Sequence, residues 1–191
     1  MRRVSEHVDP FAVAKARIPD LVHARIRRNC RQAPRLVHGV EAVLGRRFGF
    51  TATRLPPSTP GGAEHLLVDD DAKQLTRTLK RLTAEFGNSG VVVLSPWGAR
   101  SLAARIVSGD FDGTMRPDDA RWLRANLSPR DDTVRFGSIS KLKGIEADAV
   151  VVTDVGLDAR EWATKHNLDW DDLLYVALSR ARYRAVVLEK E

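Results

Sequence analysis

The chain has 191 residues, 43% of them hydrophobic, and a formal net charge of +6, which suits one domain with a sizeable core and sets an upper limit of two. No run of eighteen apolar residues occurs, so no membrane span is expected, and Met1-Arg2-Arg3-Val4-Ser5-Glu6 lacks the apolar stretch of a secretory signal. The single cysteine, Cys30, excludes an internal disulfide and fits a reducing cytoplasm, while the basic excess, crowded at Arg25, Arg27, Arg28, Arg31 and Arg35, favours a polyanionic partner such as nucleic acid.

Residues 1–20 are mixed and poorly periodic and read as a connector, leaving 21–191 as the folded domain. Leu21 to Leu44 is helical in pattern with a break near Pro34, a residue that suits the first turn of a helix because its missing N–H costs nothing there. Leu36, Val37, Val40, Val43 and Leu44 then recur at helical spacing. Pro56 to Gly62 is turn-forming throughout. Leu66-Leu67-Val68 is a short strand, and Asp70-Asp71 open a helix that runs to about Phe86, closed by Gly87.

Three later runs share one character: Val91-Val92-Val93-Leu94, Ala149-Val150-Val151-Val152 and Ala185-Val186-Val187-Leu188. Each is short and apolar on both alternating faces, as in a parallel sheet covered by helices on both sides. A fourth strand, Thr133 to Ile139, alternates more. Helices are expected at about 99–107, 118–127 and 169–182. Alternation of this kind predicts an α/β fold with a mostly parallel sheet flanked by helices.

Two segments carry chemistry. Lys143-Gly144-Ile145-Glu146 lies between two strands, and in open α/β sheets ligands bind at carboxyl strand ends. Gly144 permits a tight turn, Lys143 can place a point charge on a phosphate, and Glu146 can accept from a ribose hydroxyl. As a lone segment it reads far more often as a β-turn with solvated charges. The second is Leu174-Tyr175-Val176-Ala177-Leu178-Ser179-Arg180-Ala181, predicted on a helix capped by Asp169, with Leu173, Leu174, Ala177, Leu178 and Ala181 as its buried stripe and Arg180 at the stripe's edge. No G-x-x-x-x-G-K-S/T phosphate loop occurs.

Together these segments resemble the last two motifs of the UvrD/Rep type of superfamily 1 DNA helicases. Ser138, Ile139, Ser140, Lys143, Gly144, Ile145, Glu146 and Asp148 follow the family pattern T-h-H-x-x-K-G-L-E-F-D, and the second segment follows L-h-Y-V-A-h-S/T-R-A almost without gaps. Asn29-Cys30-Arg31-Gln32 resembles the motif that opens the same domain, and Val91 to Trp97 the strand and loop that lead to single-stranded DNA. Ser140 replaces the family's histidine, which helps couple strand to nucleotide, and Ala147 replaces its aromatic residue.

The resemblance implies the second RecA-like domain of such a motor, starting where the P-loop domain would end. It implies a cleft for ATP with Mg²⁺, whose phosphate loop and metal ligands belong to an N-terminal P-loop motor domain. Arg180 would be the arginine finger, Arg31 a second γ-phosphate contact, and Lys143, Gly144 and Glu146 nucleotide contacts. Ser138, Ser140 and Trp97 would face single-stranded DNA, Trp97 by stacking a base; a tryptophan capping the core is an equal reading of that residue. Cys30 is expected to be small and buried, and no metal site is expected. Alone, such a domain is not expected to hydrolyse ATP, since phosphoryl transfer needs all its parts together. The competing readings are a non-enzymatic module that binds nucleic acid or protein, and an accessory chain completing an ATP site in trans.

Overall fold

A computed structural model describes residues 28–49, 52–128, 132–142 and 144–190. Its centre is a five-stranded sheet, all parallel, built from β3 (Gly62–Val68), β4 (Val91–Ser95), β5 (Arg135–Ser138), β6 (Ala147–Val155) and β7 (Ala181–Lys190), in the order β3-β7-β6-β4-β5. The valine-rich runs occupy its middle. Val91–Leu94, Val150–Val152 and Val186–Leu188 are no more than 1% exposed, because helices cover both faces and leave no position for a polar residue. A short parallel pair, β1 (Arg28–Asn29) with β2 (Ala52–Thr53), stands apart from this sheet.

Six helices are found among the described residues: α1 (Pro34–Leu44), α2 (Asp71–Phe86), α3 (Leu102–Ser108), α4 (Pro117–Asn126), α5 (Leu157–Lys165) and α6 (Trp170–Leu178). Helices α1 and α6 put Leu36, Val40, Leu174 and Leu178 against one face of the sheet. Helices α2, α3 and α4 put Leu75, Leu79, Ile106 and Leu123 against the other. Sequence signals set several boundaries: Pro34 occupies the first turn of α1, and the Asp70 carboxylate accepts the Lys73 N–H at 2.9 Å to cap α2. The α/β fold with a parallel sheet, the class of RecA-like domains, is what the strand–helix alternation predicts.

The route of the chain matters for function. From β4 it runs through α3 and α4 outward to β5, whereas from β6, the neighbour of β4, it runs through α5 and α6 to β7 on the other side. Strand order therefore reverses between β4 and β6.

Three expectations need correction. The helical pattern from Leu21 does not include the Asn29–Gln32 motif: Arg28–Asn29 is a strand and the helix starts at Pro34, while residues 21–27, like the 1–20 connector, lie outside the described residues. The helix carrying the second motif ends at Leu178, so Arg180 stands in the turn before β7 rather than on a helical stripe. Cys30 is exposed, not buried.

Candidate functional site

The site begins with the turn that follows β1. The Asn29 side-chain oxygen accepts the backbone N–H groups of Arg31 and Gln32, at 3.2 and 3.1 Å, and its amide donates back to the Gln32 carbonyl at 3.0 Å. An asparagine turn of this kind fixes the backbone locally, and it sends the Arg31 side chain outward. Gln32 is buried, and its Nε2 donates to the carbonyls of Leu178 and Ala181, at 3.4 and 3.2 Å. Those carbonyls flank Ser179-Arg180. One buried amide thus ties the turn bearing Arg31 to the turn bearing Arg180, and the Ala33 N–H donated to the Arg182 carbonyl at 2.8 Å adds a second tie.

The third segment meets them at the start of β6. The Ala147 N–H donates to the Arg180 carbonyl at 3.1 Å, and Arg180 Nη1 donates to the Ile145 carbonyl at 3.4 Å, long for such a bond. Next to Ile145, the Glu146 carboxylate lies 3.1 Å from Arg31 Nη2, with both side chains about half exposed, at 46% and 53%. Gly144 is exposed at φ +80°, a conformation glycine adopts without strain. These contacts bring Arg31, Glu146 and the turn of Arg180 into one neighbourhood. Lys143, the remaining member, lies outside the described residues.

This cluster sits at the amino ends of β6 and β7, not at carboxyl ends as the position of the Lys143 segment suggests in the sequence. The loop from Ser138 to Ala147 leaves β5 at the carboxyl edge and reaches β6 at the amino edge. The residues expected to face DNA stay behind at the carboxyl edge. Ser138 is buried, and its hydroxyl accepts the Lys141 N–H at 3.2 Å, so it closes its own turn, while Ser140 beside it is exposed. Trp97 is half-buried after β4. Its ring meets Trp162 at 70° with centroids 5.3 Å apart, and the Arg100 guanidinium lies 5.0 Å over it.

The electrostatics of the amino-edge cluster suit an anion. No ion pair to Arg180 is found among the described residues, and its Nε is buried with no hydrogen-bond partner. A buried cationic donor left unpaired is costly, and an anionic oxygen would relieve it. The Arg31–Glu146 pair is half exposed and so worth at most about 1 kcal/mol, less than a charge-assisted contact between a guanidinium and phosphate oxygens. These features suit an anionic group. Among the described residues no group of three His, Cys, Asp or Glu is placed to hold a metal ion.

The motifs single out Arg31, Glu146 and Arg180 as candidates. They did not reveal Gln32, because its partners are backbone carbonyls far along the chain that leave no trace in a side-chain pattern.

No family model and no curated protein matches the chain. Among solved structures it is similar to the C-terminal domain of a possible DNA helicase from Lactobacillus plantarum WCFS1, at 16% identity and a TM-score of 0.44, over 83% of this chain and 86% of that one. A likeness at that level carries no functional weight.

Proposed function

We propose that this chain acts as the second motor domain of a UvrD/Rep-like superfamily 1 DNA helicase, completing an ATP site whose phosphate loop is supplied by another domain or chain. The observation that supports this reading is the meeting of Arg31 and Arg180 at one edge of the sheet, with Arg180 left without an acidic partner among the described residues and with an orphaned Nε–H. Bound ATP with Mg²⁺ would supply the transferable phosphoryl group. In this reading Arg180 stabilises charge on that group, Arg31 shares the contact, and Glu146 and the Gly144 turn lie beside the nucleotide. Gln32 holds the two arginine-bearing turns in register. Single-stranded DNA lies along the opposite, carboxyl edge near Ser140 and Trp97, so the Ser138–Ala147 loop links the two ends of the sheet.

The test supplies a P-loop motor domain in trans. ATP hydrolysis stimulated by single-stranded DNA should appear only in the mixture and disappear with Arg180→Ala, while DNA binding by this chain is largely kept. Turnover by the purified chain alone, abolished by the same substitution, would contradict the proposal. Loss of hydrolysis and DNA binding together would indicate damage to the turn rather than loss of a finger.

A further inference from the structure

The carboxyl edge of the sheet holds a cleft of about 760 Å³, within the range of small-molecule sites. It lies beyond the ends of β4, β6 and β7, where strand order reverses between β4 and β6, which is where open parallel sheets form a crevice for ligands. Its position thus follows from the topology and does not depend on the amino-edge reading.

The lining narrows the ligand. Four basic side chains and four carboxylates face the cleft, a balance that gives little net attraction for a polyphosphate. One carboxylate is already engaged: Asp154, held at φ +58°, accepts the Leu102 N–H at 3.0 Å and the Thr153 hydroxyl at 2.9 Å. Two others of the eight each keep one unfilled atom, although Arg105 Nη1 also donates to Asp112 at 3.2 Å. Asp71 Oδ1 and Arg105 Nε are both buried without a hydrogen-bond partner. Burial, then the nearby Asp154 charge, pushes the Asp71 carboxyl above its usual value. An acceptor and a donor thus stand unfilled in one crevice. The lining also carries the Trp97 and Trp162 rings, packed edge to face at 70°, with Leu157, 79% exposed, as a lip.

We propose that this crevice binds a nucleobase whose edge carries a ring N–H beside a carbonyl, as in guanine, presented either by a free nucleoside or by an unstacked base of a single strand. The N–H donates to Asp71, the carbonyl accepts from Arg105 Nε, and the ring stacks on Trp97 in place of the Arg100 guanidinium. That exchange is favourable because base–aromatic stacking outweighs an exposed cation–π contact. Adenosine, which has neither a ring N–H nor a carbonyl, binds less well.

The experiment titrates the chain with 2′-deoxyguanosine while recording indole N–H resonances. The signals of Trp97 and Trp162 should shift, and those of Trp122 and Trp170 should not. Asp71→Ala and Trp97→Ala, each checked for an unchanged melting profile, should each weaken binding about tenfold or more. If one variant fails to fold, the other decides. A guanine-containing oligonucleotide then separates the sources: saturation at a much lower base concentration than for the nucleoside identifies the strand, and saturation at equal base concentration identifies the free nucleoside. Indole signals unmoved by either ligand, equal response to adenosine, or binding unchanged in the folded variants would overturn the assignment.

Discussion

Gln32 is the residue on which the geometry of the amino edge turns. Its amide donates to two carbonyls on either side of Arg180 and so ties them to the turn of Arg31. A glutamate there keeps the shape but cannot donate, and sets a carboxylate against two carbonyl oxygens. Gln32→Glu should therefore lower stability by about 1–3 kcal/mol, the cost of buried groups left unsatisfied, as measured by denaturant unfolding. Gln32→Ala, which removes the donor without adding a charge, should cost less. Equal stability of all three proteins would show that the bridge carries no energy. Gly39 is a second residue with a sharp expectation. A Cβ at this position in α1 would lie 2.6 Å from the Ala63 backbone nitrogen of β3. Neither backbone can give way cheaply, so Gly39→Ala should destabilise by about 1–3 kcal/mol despite the better helix propensity of alanine.

At the scale of elements, β3, β7 and α5 are clasped together by Glu189. Its carboxylate lies 2.6 Å from His65 Nε2 and 2.9 Å from Arg160 Nη2. Burial alone would raise its pKa, but the hydrogen bonds from Arg160 and His65 outweigh burial and hold the carboxyl below its usual value. A depressed folded pKa contributes stability above the unfolded pKa and loses it as pH falls through the folded one. Thermal melts of the parent chain and Glu189→Gln should thus differ at neutral pH and converge on acidification. The same elements show what a sequence discloses. The central strands were legible because both faces are buried, which demands unbroken apolar runs. Helix α2 was legible because Asp70, Asp71 and Gly87 mark both ends. Helix α5 was not, since its buried positions are only Ala159 and Ala163 and its leucine, Leu157, is exposed. Helix α6 was read too long because Ala177 and Ala181 keep helical spacing across its end. Nothing in the sequence there is a strong breaker: Ser179 closes the last turn by donating its hydroxyl to the Val176 carbonyl at 3.0 Å, and Ala181 is already in β7. That overrun puts the backbone of Arg180 on a helix, where the structure has a turn.

For the whole molecule, the two ends of the sheet differ in character. The amino edge gathers Arg31, Glu146 and Arg180, and the carboxyl edge carries Trp97, Ser140 and the cleft. A net charge of +6 should give weak binding to single-stranded DNA whose strength comes mainly from phosphate contacts. Affinity for a fluorescent oligonucleotide should fall about tenfold or more between about 50 and 200 mM salt; flat salt dependence would favour a protein-binding module. The claim that Arg31 and Arg180 form one anion site can be read without any partner domain. Titration with inorganic tripolyphosphate, followed through arginine Nε–H resonances, should shift Arg31 and Arg180 together along one saturation curve, and Arg180→Ala should weaken the response of Arg31. Arginine signals that stay still at saturating tripolyphosphate, or that move independently of one another, would contradict the account.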